Sequence, residues 1–222
     1  MFGELIELFV STWEYLASHG PEFGTALIDH LKLVGVSLGV AMLVCLPLGV
    51  WTSRSRFASL TFMNVVNGMR VVPSLAILFL VVPYLGLSVT SAAVALTVLA
   101  MPPILINTDA AFRNLDSAIL EAAQGMGMTK RQVLFRVEIP LALPVVMTGI
   151  RTAAVEVIAS ATLAAFVGSG GLGIYITRGF AMYDYAILMV GALPVAALTL
   201  AAESVLNFLQ RALQPPAYGK SM

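Results

Sequence analysis

The chain has 222 residues, 59% of them apolar and 11% charged, with a formal net charge of zero. Soluble domains carry about 25% charged residues, so this composition suits a lipid solvent. The balanced charge gives no electrostatic case for nucleic-acid binding. A single cysteine, Cys45, excludes an intrachain disulfide and any CxxC metal or redox motif.

Residues 1–25 read as an interfacial amphipathic segment. Leu5, Leu8, Phe9, Thr12, Trp13 and Leu16 share one face at helical spacing, and Glu4, Glu7, Ser11, Glu14 and Ser18 the other. Trp13 and Tyr15 suit headgroup depth; a short helix packed on a partner would fit the same pattern. No basic n-region opens the chain, so a secretory signal is not expected. Residues 26–213 form the expected membrane domain, with span 1 at 33–51. Gly35 and Gly39 form a GxxxG pair that can let two helices approach closely. Cys45, inside this apolar run, reads as a small core residue.

Residues 71–108 carry no charge. As one helix they would measure about 57 Å, nearly twice the ~30 Å core of a bilayer, so the run must fold back. Pro83, Gly86 and Ser88 mark the turn. This gives span 2 at 60–84 and span 3 at 90–108. A polar stretch at 109–140 follows. Span 4 is 141–167, a glycine-rich connection covers 168–184, span 5 is 185–206, and 214–222 reads as a flexible tail. With the N-terminus outside, Arg54, Arg56, Arg113, Lys130, Arg131, Arg136, Arg211 and Lys220 fall on the inner side, and Lys32 and Arg178 on the outer. That asymmetry matches the positive-inside bias. It makes 109–140 and the C-terminus cytoplasmic.

From the polar stretch into the start of span 4 runs EAAQGMGMTKRQVLFRVEIPLALP, from Glu121 to Pro144. Residues 117–124 are rich in helix formers. Ala122 and Ala123 should keep a face flat enough to seat in a groove. Gly125 and Gly127 should end the helix. Thr129 with Gln132 has capping-box spacing for the next one. This segment, loop 117–140, resembles the EAA loop of type I ABC importer permeases: Glu121, Ala122 and Ala123, then Gly127, then an aliphatic ending at Pro140. Val137 and Ile139 are mild departures. The resemblance implies an all-α integral membrane fold of about five spans. It implies a cytoplasmic coupling helix between spans 3 and 4 that docks on a separate ATPase. Residues 68–86, 102–116 and 150–180 look like permeases for osmoprotectants such as glycine betaine, choline or carnitine. Methionine and other amino-acid permeases share the layout but match less well.

The resemblance further implies an ATPase dimer that binds ATP and Mg, a second permease copy or paralogue, an extracytoplasmic binding protein, and no cofactor, metal or catalytic residue on this chain. Intramembrane charges usually face a polar pathway or a partner, which makes Arg70, Glu156 and Arg151 candidates. Arg151 and Glu156 are five apart, less favourable than three or four for a direct pair. Phe166, Tyr175 and Tyr84 could offer aromatic faces to a methylated ammonium. Gly168, Gly170, Gly171 and Gly173 are expected in an outer-gate loop. Their GxGxxG spacing lacks the preceding strand and the later acid of a dinucleotide site. Gly219-Lys220-Ser221 lacks the earlier glycine of a phosphate loop. His19 and His30 lie apart, with no company for a metal. A channel or carrier working without ATP would explain the spans but not the EAA loop. A membrane enzyme would need a catalytic cluster that this sequence does not offer.

Overall fold

Helices follow wherever the sequence is apolar and lacks turn residues, because a backbone in lipid must satisfy its own hydrogen bonds. The computed structural model describes residues 2–213, and these contain no strand. The helices are α1 (Phe2–Ser18), α2 (Gly20–Ser53), α3 (Arg56–Met69), α4 (Ser74–Leu85), α5 (Val89–Arg113), α6 (Ser117–Gly125), α7 (Lys130–Val133), α8 (Ile139–Ser160), α9 (Gly173–Met182) and α10 (Tyr185–Ala212). Among the described residues four continuous helical stretches are long and apolar enough to cross a membrane: α2, α5, Lys130–Ser160 and α10.

α5 is the most buried of the four and lies between α2 and α8. Ala41, Cys45, Ala92, Ala95, Ala100, Ile104, Ala153 and Val157 fill the contact. Small residues suit this place, since helices in lipid associate by close packing rather than by escape from water. The outward faces carry large apolar residues such as Leu43, Leu80, Leu200 and Phe208, as a lipid-facing surface requires. The expected GxxxG pair plays no part in packing within the chain, because nothing approaches within 4 Å of a Cβ built on Gly35 or Gly39. The close crossings fall elsewhere. Gly49 meets Thr108, and Gly149 meets Pro103 and Asn107.

Several element boundaries differ from the sequence expectation. α2 begins at Gly20, well before residue 33 and ahead of the expected boundary at 25. Residues 60–84 are not one helix: α3 and α4 meet at 95° across a break at residues 70–73. Val72 precedes Pro73, a position that disfavours the helical conformation. Pro83 lies inside α4, and the turn is made by Gly86, at φ 71°, and by Ser88, which caps α5. The helix expected to run to 167 ends at Ser160 and gives way to a 3-10 turn at Leu163–Val167. The glycine-rich connection contains the ten-residue α9. α1 packs on α10 through Thr12, whose hydroxyl reaches the Ala186 carbonyl at 3.4 Å, while Phe9 and Trp13 stay exposed. The expected tail, 214–222, lies outside the described residues.

Candidate functional site

The EAA segment builds a short helix by local chemistry. Asp116 accepts from the Ala118 N–H at 2.9 Å and caps the start of α6. At the other end Gly127 adopts φ 81°. Its N–H donates to Gln124 O at 2.9 Å, and the Met128 N–H donates to Ala123 O at 3.3 Å. This bond pair is a Schellman closure, which requires a left-handed residue. Gly125 is the last helical residue and has no such demand, so only one of the two expected terminators acts through its conformation. Thr129 then opens α7 with the expected capping box. Its N–H donates to Gln132 Oε1 at 2.8 Å, and its hydroxyl accepts from the Gln132 N–H.

Ala122 and Ala123 do not share a face. Ala123 is buried, as is Val133 of α7, whereas Glu121, Ala122, Gly125 and Met126 are exposed. At about 100° per residue, adjacent side chains of an α-helix cannot both point outward along one line. α7 then runs into a π-helical turn, Leu134–Glu138, which ends two residues before Pro140. Proline has no N–H and its ring crowds the carbonyl four residues back, here Arg136, so a wider turn relieves the clash. Beneath the loop Leu134 and Ile139 pack on a small core of Ala111, Phe112, Ala142 and Val146.

Two charged clamps hold this end of the bundle. Arg54, just past α2, donates from Nη1 to Glu138 Oε1 at 3.2 Å and from Nη2 to Oε2. The Glu138 side chain is 7% exposed and that of Arg54 49%. Asp109, buried in α5, accepts from Arg113 at 3.0 and 3.1 Å and from the Ser59 hydroxyl at 3.0 Å. Arg113 also donates to Thr52 O at 3.0 Å, so α2, α3 and α5 are tied together. In sequence Arg54 and Arg113 bear only on the orientation of the spans. Asp109 and Arg113 stand four apart on a helix, a spacing visible in sequence. Arg54 and Glu138 are 84 residues apart and gave no such signal.

The three intramembrane charges separate into two places. Arg151 approaches Glu203 at 3.4 Å and donates to Asn207 Oδ1 at 3.2 Å, both on α10. One turn further on, Gln210 donates to Pro144 O at 2.8 Å and Thr148 Oγ1 at 3.0 Å, extending a polar seam between α8 and α10. Arg70 and Glu156 instead line one cavity of about 230 Å³ at the α3–α4 break, with Pro73, Ser74, Pro102 and Ser160. The aromatic candidates do not converge. Tyr175 is buried beside Tyr15 and Phe23, while Tyr84 and Phe166 are exposed.

At the opposite end of α2 lies the glycine loop. Gly168, Gly170 and Gly171 have φ of 77–78°, and Gly171 rests on the fully buried His30. A Cβ on Gly173 would fall 2.1 Å from Thr162 O, so the start of α9 can pass this close only without a side chain. With α2 between them, the loop and α6 occupy opposite ends of the bundle.

Known proteins resemble this chain in sequence and in fold. Residues 45–216 match the family of binding-protein-dependent transport system inner membrane components. The chain is 40% identical over 210 residues to the carnitine transport permease protein OpuCB of Listeria monocytogenes, covering 95% of this chain and 89% of that protein. It is 38% identical to the choline transport system permease protein OpuBB of Bacillus subtilis, with 91% and 93% covered. It is 33% identical to the osmoprotectant import permease protein OsmW of Salmonella typhimurium, with 93% and 98% covered. A permease chain of the inward-facing MetNI methionine ABC transporter has the same fold, with a TM-score of 0.76 at 23% identity over 87% of this chain and 96% of that one. The chain is therefore a multi-pass membrane protein of the type I ABC importer permease fold, and it belongs to the family of binding-protein-dependent transport system inner membrane components.

Proposed function

We propose that this chain forms the translocation pathway for a small osmoprotectant such as glycine betaine, choline or carnitine. In this reading ATP and Mg are bound and hydrolysed by a separate ATPase dimer, and an extracytoplasmic binding protein delivers the solute. A second permease copy or paralogue completes the pathway. The N-terminus is outside and the C-terminus cytoplasmic, which places α6 on the ATPase side and the glycine loop of Gly168, Gly170, Gly171 and Gly173 beside the outer gate. The relatives named for carnitine, choline and osmoprotectant transport favour these solutes over methionine.

The observation that carries the coupling role is the build of α6. It is capped at both ends, seated through Ala123, and presents Glu121 and Ala122 outward. A short rigid helix of this kind can transmit a push. Closure of the ATPases on ATP would move it and switch the pathway between two states, the energy coming from the motor's differential affinity for them. Pro140 and its π-turn, with the Arg54–Glu138 clamp, would pass that motion to α8 and α2.

The test is ATP-dependent uptake of radiolabelled betaine, carnitine and choline into proteoliposomes holding permease, ATPase and binding protein. Uptake should require ATP on the ATPase side, and Ala122→Trp should abolish both uptake and co-purification of the ATPase. Uptake driven by an ion gradient alone, or full coupling with Ala122→Trp, would contradict the proposal.

A further inference from the structure

The break between α3 and α4 sits midway in a bent pair, with fourteen helical residues before it and twelve after. Non-helical backbone at membrane depth is tolerated only where it lines a cavity or is buried in protein. Here it lines the cavity that also receives Arg70 and Glu156. α4 starts at Ser74 without a side-chain cap, so the positive end of its backbone dipole faces the same space. Arg70 itself closes α3, and Glu156 comes from α8. Among the described residues no direct ion pair joins Arg70 to Glu156, so the two opposite charges share a cavity without neutralising each other by contact.

That arrangement has a chemical complement. From it we propose that the cavity holds the transported solute as a zwitterion, its carboxylate on Arg70 and the start of α4, and its quaternary ammonium against Glu156. A solute carrying both charges spans the gap that the side chains leave open. The guanidinium supplies a planar donor pair for the carboxylate. Glu156 supplies a charge partner to a cation that cannot donate hydrogen bonds. The volume, about 230 Å³, lies below the ~300–1,000 Å³ of clefts for drug-sized ligands and suits a compact solute. This inference rests on the osmoprotectant reading and adds that the permease itself distinguishes zwitterions from simple cations.

Uptake of glycine betaine and of choline is measured side by side in the reconstituted transporter, normalised to the amount assembled. Arg70→Gln should lower the betaine-to-choline uptake ratio at least ten-fold, because only betaine presents a carboxylate. Arg70→Lys keeps the charge but loses the fork, and should lower the ratio about three-fold. Glu156→Gln should lower uptake of both solutes together, leaving the ratio within two-fold. An unchanged ratio in either Arg70 variant, with wild type carrying both solutes, would overturn this inference alone. Wild-type uptake of choline only would also overturn it. Wild-type uptake of neither would overturn the osmoprotectant reading and this inference with it.

Discussion

Arg54 and Glu138 meet as a two-pronged ion pair that joins the end of α2 to the π-turn following α7. The carboxylate is almost fully enclosed while the guanidinium is half in water. The pair therefore anchors the EAA segment to the longest helix of the bundle, and the asymmetry decides what its loss should do.

Arg54→Ala strands a buried carboxylate. Breaking a fully buried pair costs about 3–5 kcal/mol, but the exposed half of Arg54 is screened, and about 1–2 kcal/mol is expected. Glu138→Gln should cost less, since the released guanidinium returns to water. Denaturation of the detergent-solubilised permease, run as a double-mutant cycle, should give a coupling of about 1 kcal/mol. Strict additivity would contradict the clamp.

The two glycines of the EAA loop should respond in opposite directions. Gly127→Ala forces a side chain into the left-handed region at a cost of about 1–2 kcal/mol. Gly125→Ala places alanine in a helix with open space around its Cβ and should be neutral or stabilising by up to about 1 kcal/mol. Thermal melts of the isolated permease check this ordering.

Close helix crossings should be intolerant where spacing motifs are not. A Cβ on Gly149 would lie 2.6 Å from Pro103 O, so Gly149→Ala must push α8 off α5. A loss of at least ~2 kcal/mol is expected. Gly35→Ala meets nothing within the chain and should leave its stability within about 0.5 kcal/mol. Equal destabilisation by the two would contradict the packing described.

Asp109 receives three donors from two residues and should outrank its neighbours. Asp109→Asn weakens both bonds from Arg113 and should cost about 3 kcal/mol, the low end for a disrupted buried pair. Ser59→Ala removes one donor and should cost about 1 kcal/mol. Chemical denaturation of both variants tests the order, and a reversed order would show that Ser59, not the ion pair, carries the junction.

Much of the α6 loop was legible in sequence because its signals are local. Asp116, Gly127, Thr129 and Gln132 act within five residues of their partners. Backbone conformation and capping are settled at that range. Ala123 turns inward while Ala122 stays exposed, a departure from the expected flat alanine face that follows from the ~100° step between helix neighbours. The break at 70–73 had its signal in Pro73, but the 95° bend there is fixed where α3 and α4 pack against α5.

By itself the sequence determined the solvent, the existence of four of the five spans, the helical ends of the EAA loop and the family, since each depends on composition or on residues a few positions apart. Only the tertiary structure decided which charges meet. It paired Arg151 with Glu203 rather than Glu156, Arg54 with Glu138, and brought Arg70 and Glu156 to the lining of one cavity. Coulomb and hydrogen-bond partners are chosen by distance in space, and helix crossings bring together residues that chain order keeps far apart.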